Sequence, residues 1–157
     1  MNKNIIVISG PENSGKSTTV RMIVQQLRPF YDNRDNSDIK WPKHDFVNST
    51  VPIRGAREIL HELIINGKIV GLTSFGDSVE IIKEKFKKLD GEWPCDYIVC
   101  CCRDKGSTRE YIERTYGGRI LERFPLSQEA DFECRKQNEI DCANRVVSTL
   151  KENTKQS

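Results

Sequence analysis

The residues best suited to chemistry lie near the start of the chain: Gly10-Pro11-Glu12-Asn13-Ser14-Gly15-Lys16-Ser17, with Thr18 next. Gly10 and Gly15 let the backbone turn tightly and come close to an oxyanion where a side chain would clash. Lys16 supplies a mobile cation, expected to reach the β- and γ-phosphates of a nucleotide. The Ser17 hydroxyl is the expected Mg²⁺ ligand, and Thr18 stands where it could touch the α-phosphate. Pro11, Glu12, Asn13 and Ser14 complete the loop, whose successive backbone N–H groups can converge on one phosphate.

Such a loop works only when a strand feeds it and a helix leaves it. Ile5, Ile6, Val7 and Ile8 form a short apolar run of the kind a buried parallel strand shows. Beyond the loop, Val20, Ile23, Val24 and Leu27 recur at helical spacing. The positive end of that helix then faces the same point as the loop amides. The helix is expected from about Gly15 to Arg28, ending before Pro29, which disfavours helical backbone at its predecessor.

A phosphate loop needs a second acid to hold the metal, usually at the end of a neighbouring strand. Asp77 follows the apolar run Ile69–Ser74 by a short Phe-Gly step, which puts it at the carboxyl edge of a sheet. Asp77 with Glu80 is also a capping-box spacing, so a role at a helix start competes with metal binding. Asp104, after Cys102-Arg103, is the alternative acid. Ser74 could support a water on the metal. Arg103, Lys105, Arg109, Arg114 and Arg119 fall in one stretch past a strand end. Arginines there could neutralise a transferring phosphoryl group, and Arg103, leaving the strand directly, is the candidate catalytic cation beside Lys16. The bland alternative is a solvated helix face paired with Glu110 and Glu113.

The remaining elements follow from pattern. Glu58–Ile65, Asn66-Gly67 and Lys68–Ser74 read as a hairpin, since Asn-Gly tolerates positive φ at both central positions. Ile59, Leu60, Leu63 and Ile64 would also make a helical stripe ended by Asn66-Gly67. Val79, Ile82, Phe86 and Leu89 mark a helix closed by Gly91 and Pro94. Asp96–Cys102 is a strand, and Ser107 with Glu110 caps a short helix stopped by Gly117-Gly118. Arg119–Phe124 is a last strand. Ile140, Ala143, Val147 and Leu150 mark the final helix, with Lys151–Ser157 expected as a frayed, flexible tail. Residues 30–56 are polar, broken by Pro42 and Pro52, and show no clean period. The alternation predicts a single α/β domain over residues 1–150, a three-layer α/β/α sandwich. Its sheet would be mostly parallel, with room for one antiparallel hairpin strand.

Composition excludes more than it selects. The 157 residues carry a net charge of +2 with 31 % charged residues, so no basic excess calls for nucleic acid. No run of eighteen apolar residues would span a membrane, and Met1-Asn2-Lys3-Asn4 leads straight into the first strand, without a secretory signal. A cytoplasmic location is the expectation. Among the six cysteines none forms a C-x-x-C, and Cys100-Cys101-Cys102 lie inside a strand-like run with side chains to alternate faces. They read as reduced, structural residues rather than zinc ligands, with Cys95, Cys134 and Cys142 able to lie exposed.

By the Walker A sequence Gly10–Ser17 the chain resembles the P-loop NTPase superfamily. The order of its elements, with a basic segment between the last two strands, is loosely similar to the small P-loop kinases. That resemblance implies bound ATP and Mg²⁺, an acceptor site over the segment after the first helix, and a closing arginine lid. A second strand with an acceptor-binding Asp-x-Arg and a standard Walker B acid are both missing. So is an N-K-x-D guanine motif, which favours ATP over GTP. Two functions stay open: Mg²⁺-dependent transfer of the γ-phosphoryl of ATP to a small acceptor, or an ATPase or nucleotide-operated switch acting on a protein partner.

Overall fold

The computed structural model describes residues 2–12, 14–32, 39–40, 59–92, 95–128 and 131–155, with the backbone alone at 28–32 and 39–40. The apolar run Ile5–Ser9 is strand β1, buried along its whole length. It sits in a six-stranded sheet of order β2-β3-β4-β5-β1-β6, with β2 Ile39–Lys40, β3 Leu60–Ile65, β4 Lys68–Thr73, β5 Tyr97–Cys102 and β6 Ile120–Pro125. β4, β5, β1 and β6 run parallel, and β3 pairs antiparallel with both β2 and β4. The sheet is therefore mixed and mostly parallel, with β3 the reversed strand.

The β3–β4 turn has the hairpin geometry. Asn66 at φ 51° and Gly67 at φ 78° are both left-handed, and Ile65 pairs with Lys68 across the turn. An Asn-Gly pair adopts that conformation cheaply, so the turn chemistry outweighs the helical stripe in Ile59–Ile64.

Among the described residues four helices cover the sheet: α1 Lys16–Asp32, α2 Val79–Phe86, α3 Ser107–Tyr116 and α4 Phe132–Lys155. Strand pleating sorts the core into two halves. Ile6, Ile8, Val99 and Cys101 pack against Val20, Ile23 and Leu27 of α1 and Ala143, Val146 and Leu150 of α4. Ile5, Val7, Ile98, Cys100 and Cys102 pack against Ile82 and Phe86 of α2 and Ile112 of α3. The consecutive cysteines thus alternate faces as period-two geometry requires. All six cysteines are free thiols. Cys134 alone is exposed, and burial pushes the Cys142 thiol up to about 11.

Three local boundaries differ from the pattern reading. α1 runs through Pro29 to Asp32. A proline removes one helical hydrogen bond and disfavours its predecessor's helical backbone without forbidding it. α2 passes into a π-helical turn, Lys87–Glu92, which keeps Leu89 fully buried. Asp90 in that turn forms a bidentate pair with Arg119 at 3.0 and 2.8 Å, and this hydrogen bond holds its carboxyl below the usual range.

The third difference is at the end of α4. α4 continues to Lys155, so residues 151–155 are helix rather than a frayed tail. Thr154 is buried, receives a 2.9 Å hydrogen bond from the Asn66 amide and donates to the Leu150 carbonyl. The hairpin turn thus secures the end of the final helix, a contact between residues 88 apart in sequence.

Candidate functional site

Consecutive parallel strands at the sheet centre send their helices to opposite faces. β1 is followed by α1 on one face, and its neighbour β5 is followed by α3 on the other. A crevice opens at the carboxyl ends of strands where the chain diverges in this way. The loop after β1 lies at that crevice. Its start is tied to both neighbouring strands, by Gly10 N–H donating to the Cys102 carbonyl at 3.3 Å and by Leu126 N–H, just past β6, donating to the Ser9 carbonyl at 2.7 Å.

Lys16 Nζ folds back and donates to the Gly10 and Pro11 carbonyls, both at 2.9 Å. Gly15 has φ +97°, a conformation that L side chains rarely adopt. Its carbonyl receives both the N–H and the hydroxyl of Thr19, at 2.9 and 2.7 Å. A Cβ on Gly10 would collide with Ser14 Oγ and stand 2.8 Å from the Leu126 carbonyl, so the turn there has no room for a side chain. Ser14 itself is 1 % exposed, and its hydroxyl has no hydrogen-bond partner among the described residues. A buried hydroxyl without a partner costs about 1–3 kcal/mol, which makes it an open place for a ligand oxygen.

Glu12, Ser14, Gly15, Lys16, Ser17, Thr18, Ser74 and Asp77 line one cavity of about 250 Å³. Asn13 lies outside the described residues. The cavity brings Ser17 from the start of α1 together with Ser74 and Asp77 from the β4–α2 connection, while Asp104 is not among its lining residues. Asp77 is not the helix cap: Ser78 caps α2, its hydroxyl accepting from Ile81 N–H at 3.2 Å. Asp77 is left exposed toward the cavity mouth, and Ser74 Oγ accepts from Ile59 N–H at 2.7 Å.

The basic segment divides. Arg103 reaches across the mouth, 3.8 Å from Glu12 and 3.9 Å from Asp77. Its backbone N–H is fixed by the Thr108 hydroxyl at 3.1 Å. Arg109 turns to the Asp104 carbonyl and to Glu113, and Arg119 is spent on Asp90. Arg123, absent from the pattern reading, takes Glu113 in a bidentate pair at 2.7 Å that holds this carboxyl below its ordinary range. Arg109 and Arg119 are thus engaged in local pairs, and Arg103 is the member of the cluster that reaches the cavity mouth. Nor does Ser107 cap α3: that position belongs to Gly106, at φ 94°, with no side-chain cap bond.

Sequence reasoning does not reach Glu139 or the ion pair of Glu12, a loop residue whose carboxylate in a phosphate loop invites a nearby cation. Glu139 interrupts the apolar stripe of the last helix, three and four residues before Cys142 and Ala143, and that interruption was the available sign.

Comparisons with family models, with curated proteins and with solved structures returned no match. Among the described residues no helix is long and apolar enough to cross a membrane.

Proposed function

We propose that the chain is a P-loop nucleotide-binding protein that takes ATP with Mg²⁺ and passes the γ-phosphoryl group to a small acceptor. The observation that carries this is the cavity behind Gly10–Thr18. A glycine cradle, an orphaned Ser14 hydroxyl, the Lys16 ammonium and the Ser17 and Asp77 oxygens share one crevice. The helices on both faces of the mostly parallel sheet fit the three-layer arrangement of that superfamily.

The donor set suits both ligands. Backbone N–H groups at the start of α1 and the Ser14 hydroxyl offer polar contacts to phosphate oxygens. Ser17 and Asp77 are the oxygens that would hold Mg²⁺, with Ser74 beside them. Hard oxygen donors, few in number, are what this ion takes when phosphates and water complete its shell. When bound, the metal supplies compensation for charge on the phosphates.

The residues of the chain divide the remaining work. Lys16 exchanges the Gly10 and Pro11 carbonyls for phosphate oxygens. Arg103 leaves Glu12 and Asp77 for the phosphoryl group, where its charge counts most as negative charge is redistributed. Catalysis of this kind is positioning and electrostatics, and needs no covalent step on the protein. Residues 41–58, which precede β3, are the proposed acceptor side and lie outside the described residues. A cytoplasmic location belongs to the same reading.

The deciding experiment is ADP release from ATP and Mg²⁺ measured against a panel of nucleosides, nucleotides, sugars and small acids. Acceptor-stimulated release is expected. A slow rate indifferent to every acceptor, with a changed elution volume, would mark the nucleotide-operated switch instead. The Glu12–Arg103–Asp77 bridge favours that second reading, because a ligand could rearrange it. Asp77→Asn should weaken the Mg²⁺ dependence of nucleotide affinity about tenfold, the low end for a metal-supporting contact. Unchanged Mg²⁺ dependence would remove Asp77 from the metal site.

A further inference from the structure

The buried face of α4 carries Glu139, Cys142, Ala143, Val146, Val147, Leu150 and Thr154. Glu139 is the ionisable acid on that stripe, with its side chain only 9 % exposed. Burial of a carboxylate among apolar neighbours is costly unless something requires it there. Its ion-pair partner is Arg135, one turn earlier on the same helix, at 3.8 Å. Burial raises its pKa, and Arg135 opposes that effect.

The side chain is spent on the phosphate loop. The position a Cβ would take on Gly15 is occupied by Glu139, with Oε1 in collision, Cδ at 2.7 Å and Cγ at 2.8 Å. Gly15 is thus held from two sides, by Thr19 at its carbonyl and by Glu139 filling the space a side chain would take. A glycine at φ +97° has no Cβ to restrict it, so without an external grip its flanking amides would sample other directions. Convergence of those amides is what the phosphate loop depends on.

Resting on the nucleotide reading above, we propose that Glu139 is a positioning residue: reaching from α4, it braces Gly15 and holds the loop amides in their phosphate-binding arrangement. The brace works by the length and shape of the side chain. Asp, one methylene shorter, withdraws from Gly15 while keeping the charge. Gln keeps the reach and loses the charge.

Calorimetric titration with Mg·ADP and with inorganic pyrophosphate, alongside melting temperature without ligand, tests this. Glu139→Ala and Glu139→Asp should weaken both ligands about tenfold or more, as misplaced site groups do. Glu139→Gln should bind within about threefold of the wild type, a difference well under the 1.4 kcal/mol of a tenfold change. Wild-type affinity in the Asp variant, or a Gln variant as weak as the Ala variant, would overturn the brace. A melting-temperature cycle tests the contact without any ligand. Gly15→Ala should cost less in the Glu139→Ala background than in the wild type, because the colliding carboxyl is gone. Additive costs would overturn the contact. Failure of the wild type to bind either probe strikes the nucleotide reading itself, while the cycle still judges the brace.

Discussion

Lys16→Ala is expected to abolish nucleotide binding while leaving a folded protein. In the ligand-free chain Lys16 donates to two loop carbonyls at 2.9 Å, both bonds part-buried, so its removal costs the fold about 1–3 kcal/mol. In the complex the same ammonium would meet phosphate oxygens in charge-assisted hydrogen bonds worth about 1.5–3 kcal/mol each. Losing two of them raises the dissociation constant by about two to four powers of ten, at 1.4 kcal/mol per tenfold. Wild-type protein with ligand at one hundred times its dissociation constant gains about 2.7 kcal/mol. For a chain of this size that is a melting-temperature rise of about 5–10 °C. The variant should show almost none of it. A folded Lys16→Ala protein stabilised by ATP and Mg²⁺ to the wild-type extent would sink the central claim.

Gly76→Ala should damage both stability and the metal side of the site. Gly76 has no unusual φ; what it lacks is space. A Cβ there would stand 2.5 Å from the Cys101 carbonyl oxygen and 2.8 Å from its carbon. Those are backbone atoms of β5, a strand paired on both sides with β1 and β4, so they have little freedom to yield. The turn between β4 and α2 must move instead, and it carries Asp77 with it. Overpacking of this kind costs about 1–3 kcal/mol, a fall of about 2–10 °C in melting temperature. Mg²⁺-assisted nucleotide affinity should fall more than affinity measured in chelator. Gly91→Ala, where nothing lies within 4 Å of the new Cβ, is the control and should change neither. Equal behaviour of the two variants would show that the close approach to Cys101 has no functional consequence.

Local chemistry made much of this protein legible. The run Ile5–Ile8 is β1, the spacing Val20–Leu27 is the buried face of α1, and Asn66-Gly67 is the hairpin turn. In each case the deciding preference is carried by the residues themselves, as period, burial or tolerance of positive φ. Errors came where a neighbour remote in sequence outweighed a local rule. Residues 151–155 look like a polar tail, yet Asn66 and the core hold Thr154 in a helix. Asp77 and Glu80 have the spacing of a cap, yet the adjacent Ser78 takes that position, a choice between neighbours rather than a remote contact.

The sequence by itself determined a strand, a glycine-rich loop and a helix with Lys16 and Ser17 at its start, because those features are set by residues within hydrogen-bonding reach along the chain. The tertiary structure decided which other groups meet them. It set β5 beside β1, so that Arg103 and not Arg119 faces the loop, and it brought Asp77 rather than Asp104 to the cavity. It also laid Glu139 against Gly15, 124 positions along the chain. Such contacts follow from strand order and helix packing, and these depend on the free energy of the whole core rather than on any one segment.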